Sequence, residues 1–162
     1  MTLVMAAPDA TNVRQFRTYK DLEVWRRAML LVRHVYARTK SFPADERFGL
    51  VAQARRAAVS IPCNIAEGNG RSRRRDYIRL LLVARGSVQE LETQLLIASD
   101  QKFLPSGEST ELLRRTNEVG RLLAGLIRAL TRIDNSPSTR PAPHVVRSPQ
   151  SPAPRAQRLA RK

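Results

Sequence analysis

The chain has 162 residues, enough for one domain around a single core; 42% are hydrophobic but only 5% aromatic, and 29 Lys/Arg face 14 Asp/Glu for a net charge of +15. A lone cysteine, Cys63, excludes an intrachain disulfide or a cysteine-rich metal site, and the two histidines, His34 and His144, are too far apart in sequence to suggest zinc. No segment approaches membrane-spanning length and the first residues lack the basic start of a secretory signal, so a soluble cytoplasmic protein is expected.

The charge is spread through the chain. Residues 134–162 carry six basic residues and one acidic, and the remainder carries 23 against 13. Such a field attracts polyanions, with nucleic acid the first candidate. Anionic membrane is a weaker one, because the C-terminal segment has no amphipathic apolar face.

Four segments have helical periodicity and none has strand alternation. The first runs from Tyr19 to Thr39 with a seam of Leu22, Trp25, Met29, Val32 and Tyr36, widened by Ala28 and Val35. Trp25 and Tyr36 are therefore read as core or interface, and His34 as exposed. Ser41-Phe42-Pro43 ends it, since the residue before a proline avoids helical geometry. The second is expected to start at Ala44-Asp45-Glu46, whose carboxylates favour a helix N-terminus. It continues through Leu50, Ala54, Ala57, Ile61 and Ile65 to Gly68. Pro62 lies inside it and removes the bond its N–H would give the Ala58 carbonyl, so a bend is expected there. Ser60 or Asn64 is expected to help satisfy the freed groups, and Gly68 fits the left-handed position after a helix end.

Ser72 is placed to cap the third helix, whose seam is Tyr77, Leu81, Ala84, Val88, Leu91, Leu95 and Ala98, with Leu80 and Val83 as a second flank. Gly86-Ser87 suggests a closely approached backbone. The fourth helix follows Pro105-Ser106-Gly107 with the seam Leu112, Thr116, Val119, Leu123, Leu126, Leu130, Ile133. Three–four spacing with short connections predicts an all-α fold, an antiparallel up-down-up-down four-helix bundle. The bundle spans residues 19–134, after a flexible segment 1–18 and before a disordered, basic, proline-rich tail, 135–162.

A family resemblance rests on three motifs. These are Tyr19-Lys-Asp-Leu-Glu-Val-Trp25 with Phe42-Pro43; Gln53-x-Arg55-Arg56-Ala-Ala-Val-Ser-Ile-Pro62-x-Asn64-Ile-Ala-Glu67-Gly68; and Ala84-x-Gly86-Ser87-x-x-Glu90-Leu-Glu92-x-Gln94. Over residues 19–133 the chain resembles the four helix bundle protein family first noted in intervening sequences of bacterial 23S ribosomal RNA genes. Cys63 stands where that pattern suggests a small residue such as alanine. The resemblance implies assembly into a ring, typically a homopentamer. It also implies kinship with the accessory variability determinant of diversity-generating retroelements, a basic pentameric barrel associated with a reverse transcriptase and nucleic acid.

Two arginine sets are candidate phosphate contacts. Arg71, Arg73, Arg74, Arg75 and Arg79 crowd the start of the third helix, where exposed N–H groups add to the attraction. The competing reading is a solvated loop paired with Glu67 and Asp76. Arg114, Arg121 and Arg128 recur every seven residues along the fourth helix, with Glu111 and Glu118 near enough for ordinary surface pairing.

Pro62, Asn64, Glu67, Gly68, Gly86 and Ser87 are read as structural. Glu67 pairs with an arginine, Asn64 bonds backbone at the proline, Gly86-Ser87 admits a neighbouring helix, and Cys63 is a small buried hydrophobe. A Glu67–Glu90 acid–base pair has no nucleophile, metal ligand or phosphate-binding glycine loop to support it. The expectation is thus a non-enzymatic oligomer with no catalytic residue, metal or cofactor, binding RNA or DNA phosphates through arginines and serving as an accessory, with a reverse transcriptase as a partner. The alternative is a scaffold whose basic surface docks an acidic protein.

Overall fold

The computed structural model describes residues 18–134. Of the segments expected to be loose, 1–18 and 135–162, all but Thr18 lie outside the described residues, and Thr18 caps the short turn Tyr19–Asp21. Four helices dominate: α1 (Glu23–Arg38), α2 (Leu50–Asn69), α3 (Arg74–Asp100) and α4 (Ser106–Asp134), with no strand among the described residues. Each helix packs on its neighbour in sequence, and α1 also packs on α4, closing the bundle. The directions alternate. Arg27 of α1 meets Glu118 of α4 while Arg38 meets Glu108, and Ser60 of α2 meets Ser87 of α3.

The core is aliphatic and alanine-rich, as the scarcity of aromatics requires. The third seam is buried as read, from Leu81 through Ala84, Val88, Leu91 and Leu95 to Ala98, with Tyr77 half-buried. The second is buried from Ala54 through Ala57 and Ile61 to Ile65, and the fourth from Leu112 to Leu123. Towards its end the fourth seam opens, and Ile133 is exposed.

The first seam is buried only in part: Leu22, Ala28 and Val35 are buried as read, but elsewhere the buried stripe is displaced by one residue. Val24, Ala28, Leu31 and Val35 face the core, Trp25 and Val32 are only partly buried, and Met29 and Tyr36 are exposed. The two stripes of α1 are equally regular, and its packing against both α2 and α4 turns the Val24–Val35 stripe inward and leaves the bulky residues at the rim. Val83, expected to flank the third seam, is likewise exposed.

Several helix ends differ from expectation. Ala44–Arg47 is a 3-10 turn and α2 starts only at Leu50. The carboxylate still does the expected work, because Glu46 Oε2 accepts from the Leu50 N–H at 2.8 Å. α2 runs unbroken through Pro62 and past Gly68 to Asn69, and its C-cap Gly70 is right-handed. Gly68 is therefore not a left-handed stop.

That role falls to Lys102, whose φ of 60° is the one positive value among the described residues. Its N–H bonds the Ser99 carbonyl and the Phe103 N–H bonds Ala98, the paired bonds of a Schellman ending. Nothing in the residue type announces it. Ser72 does not cap α3: the N-cap is Arg73, with no side-chain cap bond.

The small-residue motifs pack differently from the way they read. A side chain on Gly86 would meet nothing within 4 Å, so Gly86 is not a point of close approach. Ser87 is buried, and its hydroxyl lies 2.9 Å from that of Ser60. Asn64 Nδ2 donates to the Ser60 carbonyl at 2.8 Å and to its hydroxyl at 3.0 Å, completing a polar seam that holds α2 and α3 in register beside Pro62. Cys63, expected to be buried, is exposed because it faces away from α3.

Candidate nucleic-acid interface

Antiparallel packing puts the α2–α3 turn, the start of α1 and the end of α4 at one end of the bundle. The segments forming that half (18–31, 60–87 and 118–134) hold twelve Lys/Arg and six Asp/Glu, whereas the other half holds nine against seven. The chain also enters the bundle at Thr18 and leaves it at Asp134, both at this end. Residues 1–17 and 135–162, with eight further Arg/Lys and one acid, are thus tethered there. The size of the charge is legible in the amino-acid sequence, whereas its gathering at one pole is determined by the topology.

At this pole Gly70 ends α2, the Arg71 N–H bonds the Gly68 carbonyl at 3.0 Å, and Arg73 turns extended before α3 begins. Arg71 is bound to Glu67, one turn back, as expected for that glutamate. Arg73 and Arg79 are exposed and Arg74 is half-buried; Arg75 is exposed and engaged in an interaction of its own. Arg75 and Arg79, one helical turn apart, share a face.

The α4 stripe divides. Arg114 donates to both Glu111 oxygens, at 2.8 and 3.0 Å, and lies 3.7 Å from Glu118. Its hydrogen bond is the main reason the Glu111 carboxyl is held down to about 2. Arg27 bonds Glu23 at 2.7 Å and reaches Glu118 at 3.4 Å, so its own pKa is raised, the Glu23 hydrogen bond leading. Arg114 is therefore neutralised on the surface of the half of the bundle away from the basic pole. Arg121 and Arg128 are exposed towards the basic pole.

Tyr77 sits under this turn. Its ring fills the space beside Gly68, and its hydroxyl is buried without a hydrogen-bond partner among the described residues. Burial pushes the phenol pKa up, with the nearby Asn69 side chain opposing. The neighbouring α1–α2 face carries an apolar groove of about 320 Å³ lined by Trp25, Met29, Val59, Pro62 and Cys63. Sequence reasoning missed this groove because it assigned Trp25 and Met29 to the core seam.

Among the described residues no cluster of His, Cys, Asp and Glu could hold a metal ion, and no helix is long and apolar enough to cross a membrane. The fold and the charge define a basic four-helix-bundle protein. Residues 20–125 match the 23S rRNA-intervening sequence protein family, and the chain belongs to it. A solved structure is also similar, that of a protein of unknown function from the S23 ribosomal protein family of Bacteroides thetaiotaomicron. Its TM-score is 0.61 at 21% identity, covering 65% of this chain and 95% of that one, a likeness of fold. Among curated proteins nothing matches.

Proposed function

We propose that this is a non-enzymatic, oligomeric nucleic-acid-binding protein that holds RNA or DNA by its phosphates at the basic pole. The observation that carries the reading is the gathering of Arg73, Arg74, Arg79 and Arg128 in the half of the bundle where residues 1–17 and 135–162 also join it, with Arg121 exposed on the same helix as Arg128. Arginine forks suit phosphate oxygens, and a polyelectrolyte partner repays a concentrated field more than a scattered one. Few of these contacts would read base edges, so weak sequence preference is expected.

Self-association is supported by apolar side chains left on two different faces. Met29, Tyr36 and Val59 lie on α1 and α2, and Leu82, Leu96 and Ile97 on α3. Contact between unlike faces closes into a ring when the rotation allows, and a ring would multiply the charge of each pole. The resemblance suggests a homopentamer and an accessory role to a reverse transcriptase, which co-purification tests.

The decisive experiment is binding of unrelated RNA and single-stranded DNA across a salt series. Affinity should fall linearly in log–log coordinates, with a slope reporting the phosphates neutralised. A monodisperse oligomer that binds neither at low salt would overturn the reading in favour of docking to an acidic protein.

A further inference from the structure

The pole opposite the arginine turn is divided. Its α1–α2 corner, residues 32–59, holds six Lys/Arg against two acids, while its α3–α4 corner, 88–117, holds three against five. At the basic corner lies a pocket of about 400 Å³, within the usual range for small-molecule sites. Lys40, Arg47 and Arg55 line it and no acidic residue does. Asp45 and Glu46 belong to the same turn, but neither lines the pocket, and Glu46 is committed to the Leu50 N–H.

Arg55 is pre-positioned. Its Nε donates to the buried Thr39 hydroxyl at 2.9 Å, and its guanidinium lies over the Tyr36 ring, 4.8 Å from the centroid. Thr39 in turn donates to the Val35 carbonyl at 2.8 Å, so the arginine is anchored through Thr39 to the end of α1. An anchored guanidinium loses little freedom on meeting a phosphate. Val51, in the first turn of α2, forms part of the wall and brings the positive end of that helix beside the pocket.

A second observation gives the ligand its other half. Phe48 is 85% exposed, far more than any other large apolar side chain of the described residues, and Arg47 lies over its ring at 5.5 Å. Phe48 does not line the pocket itself but is joined to it through Arg47, and a solvent-facing aromatic so placed is a platform on which nucleobases stack.

We infer that the α1–α2 corner is a nucleotide site: a phosphomonoester on Lys40 and Arg55, with its base against Phe48 and Arg47. The nucleotide is either free or the phosphorylated end of a strand. This site is separate from the arginine pole and does not depend on it.

The probe is AMP, measured by equilibrium dialysis or calorimetry on the full chain at low salt. Saturable binding is expected. K40Q/R47Q should weaken it at least tenfold, F48A several-fold with no fall in Tm, and R71Q/R73Q/R74Q/R79Q should leave it unchanged. Adenosine, lacking the phosphate, should not compete. A 5′-phosphorylated pentanucleotide that displaces AMP where its 5′-hydroxyl form does not would identify a strand end as the source; failure of both would identify the free nucleotide. Absence of saturable binding, adenosine competing as well as AMP, unaltered affinity in F48A or K40Q/R47Q, or loss of AMP binding in the arginine-pole variant would each overturn the assignment. Binding of long RNA that survives K40Q/R47Q keeps this test distinct from that of the basic pole.

Discussion

The ring of Tyr77 occupies the space that a side chain on Gly68 would need. A Cβ there would lie 2.5 Å from Tyr77 Cδ2 and 3.3 Å from Leu80 Cβ. Gly68 is helical and right-handed, so its value is room, not backbone freedom. Gly68→Ala should cost about 1–3 kcal/mol by overpacking, of which alanine's better helix propensity returns at most about 1. Gly86→Ala is the control. It sits mid-helix in open space and should gain about 0.5–1 kcal/mol. Urea denaturation of the two variants checks both signs, and a stabilised Gly68→Ala would show that the turn yields.

Tyr77 itself makes the next prediction. Among the described residues its buried hydroxyl meets only the Asn69 side chain, and not in hydrogen-bonding geometry, so Tyr77→Phe deletes a desolvated polar group and should leave stability unchanged or raise it by about 1 kcal/mol. The pH dependence follows from the raised phenol pKa. The fold favours the neutral form, so the stabilisation is complete below the ordinary phenol value near 10 and is lost as pH rises through the higher folded value. Thermal melts from pH 8 to 11 should therefore decline less in Tyr77→Phe than in the parent. Equal decline would assign the alkaline loss to other groups.

These two residues also mark where the sequence was legible. Bundle architecture followed from the seams of α2, α3 and α4, because uninterrupted aliphatic spacing leaves a helix one way to face. In α1 the reading of Leu22, Ala28 and Val35 holds, but bulky Trp25, Met29 and Tyr36 offer as regular a stripe as the buried Val24 and Leu31. Only the packing of α1 between α2 and α4 decides between them. Gly68 and Gly86 are indistinguishable as letters, and what separates them is a ring nine residues onward. The candidate arginines were legible as types. The pairing of Arg114 was legible too, because Glu111 and Glu118 stand three before and four after it on one helix; what the spacing does not show is that α1 brings Arg27 to share Glu118.

The Glu111–Arg114–Arg115 cluster predicts behaviour in acid. Glu111 is depressed to about 2, led by its hydrogen bond from Arg114, with Arg115 Nη2 a further 2.7 Å contact. A depressed carboxyl contributes stability that is present above its unfolded value, near 4.5, and is lost as pH falls towards 2. The group is exposed to solvent, so the effect should be small and should shrink with added salt. Glu111→Gln should flatten the fall of Tm between pH 5 and 2.5 at low ionic strength. A slope unchanged in Glu111→Gln would show that other carboxylates dominate.

The division of the α4 stripe yields the sharpest test of the basic pole. If phosphates are held there, Arg73→Gln, Arg79→Gln, Arg121→Gln and Arg128→Gln together should lower the log–log salt slope for single-stranded RNA by about 3, at roughly 0.7 per contact removed. Arg114→Gln should leave that slope unchanged, because its guanidinium is already spent on Glu111 and Glu118. The two variants remove the same kind of charge from the same protein, so general loss of positive field predicts a graded response in both. A site at the pole predicts a large change in one and none in the other. An Arg114→Gln slope that drops by as much per residue as the quadruple variant would mean the whole α4 surface binds, and the pole would lose its special standing.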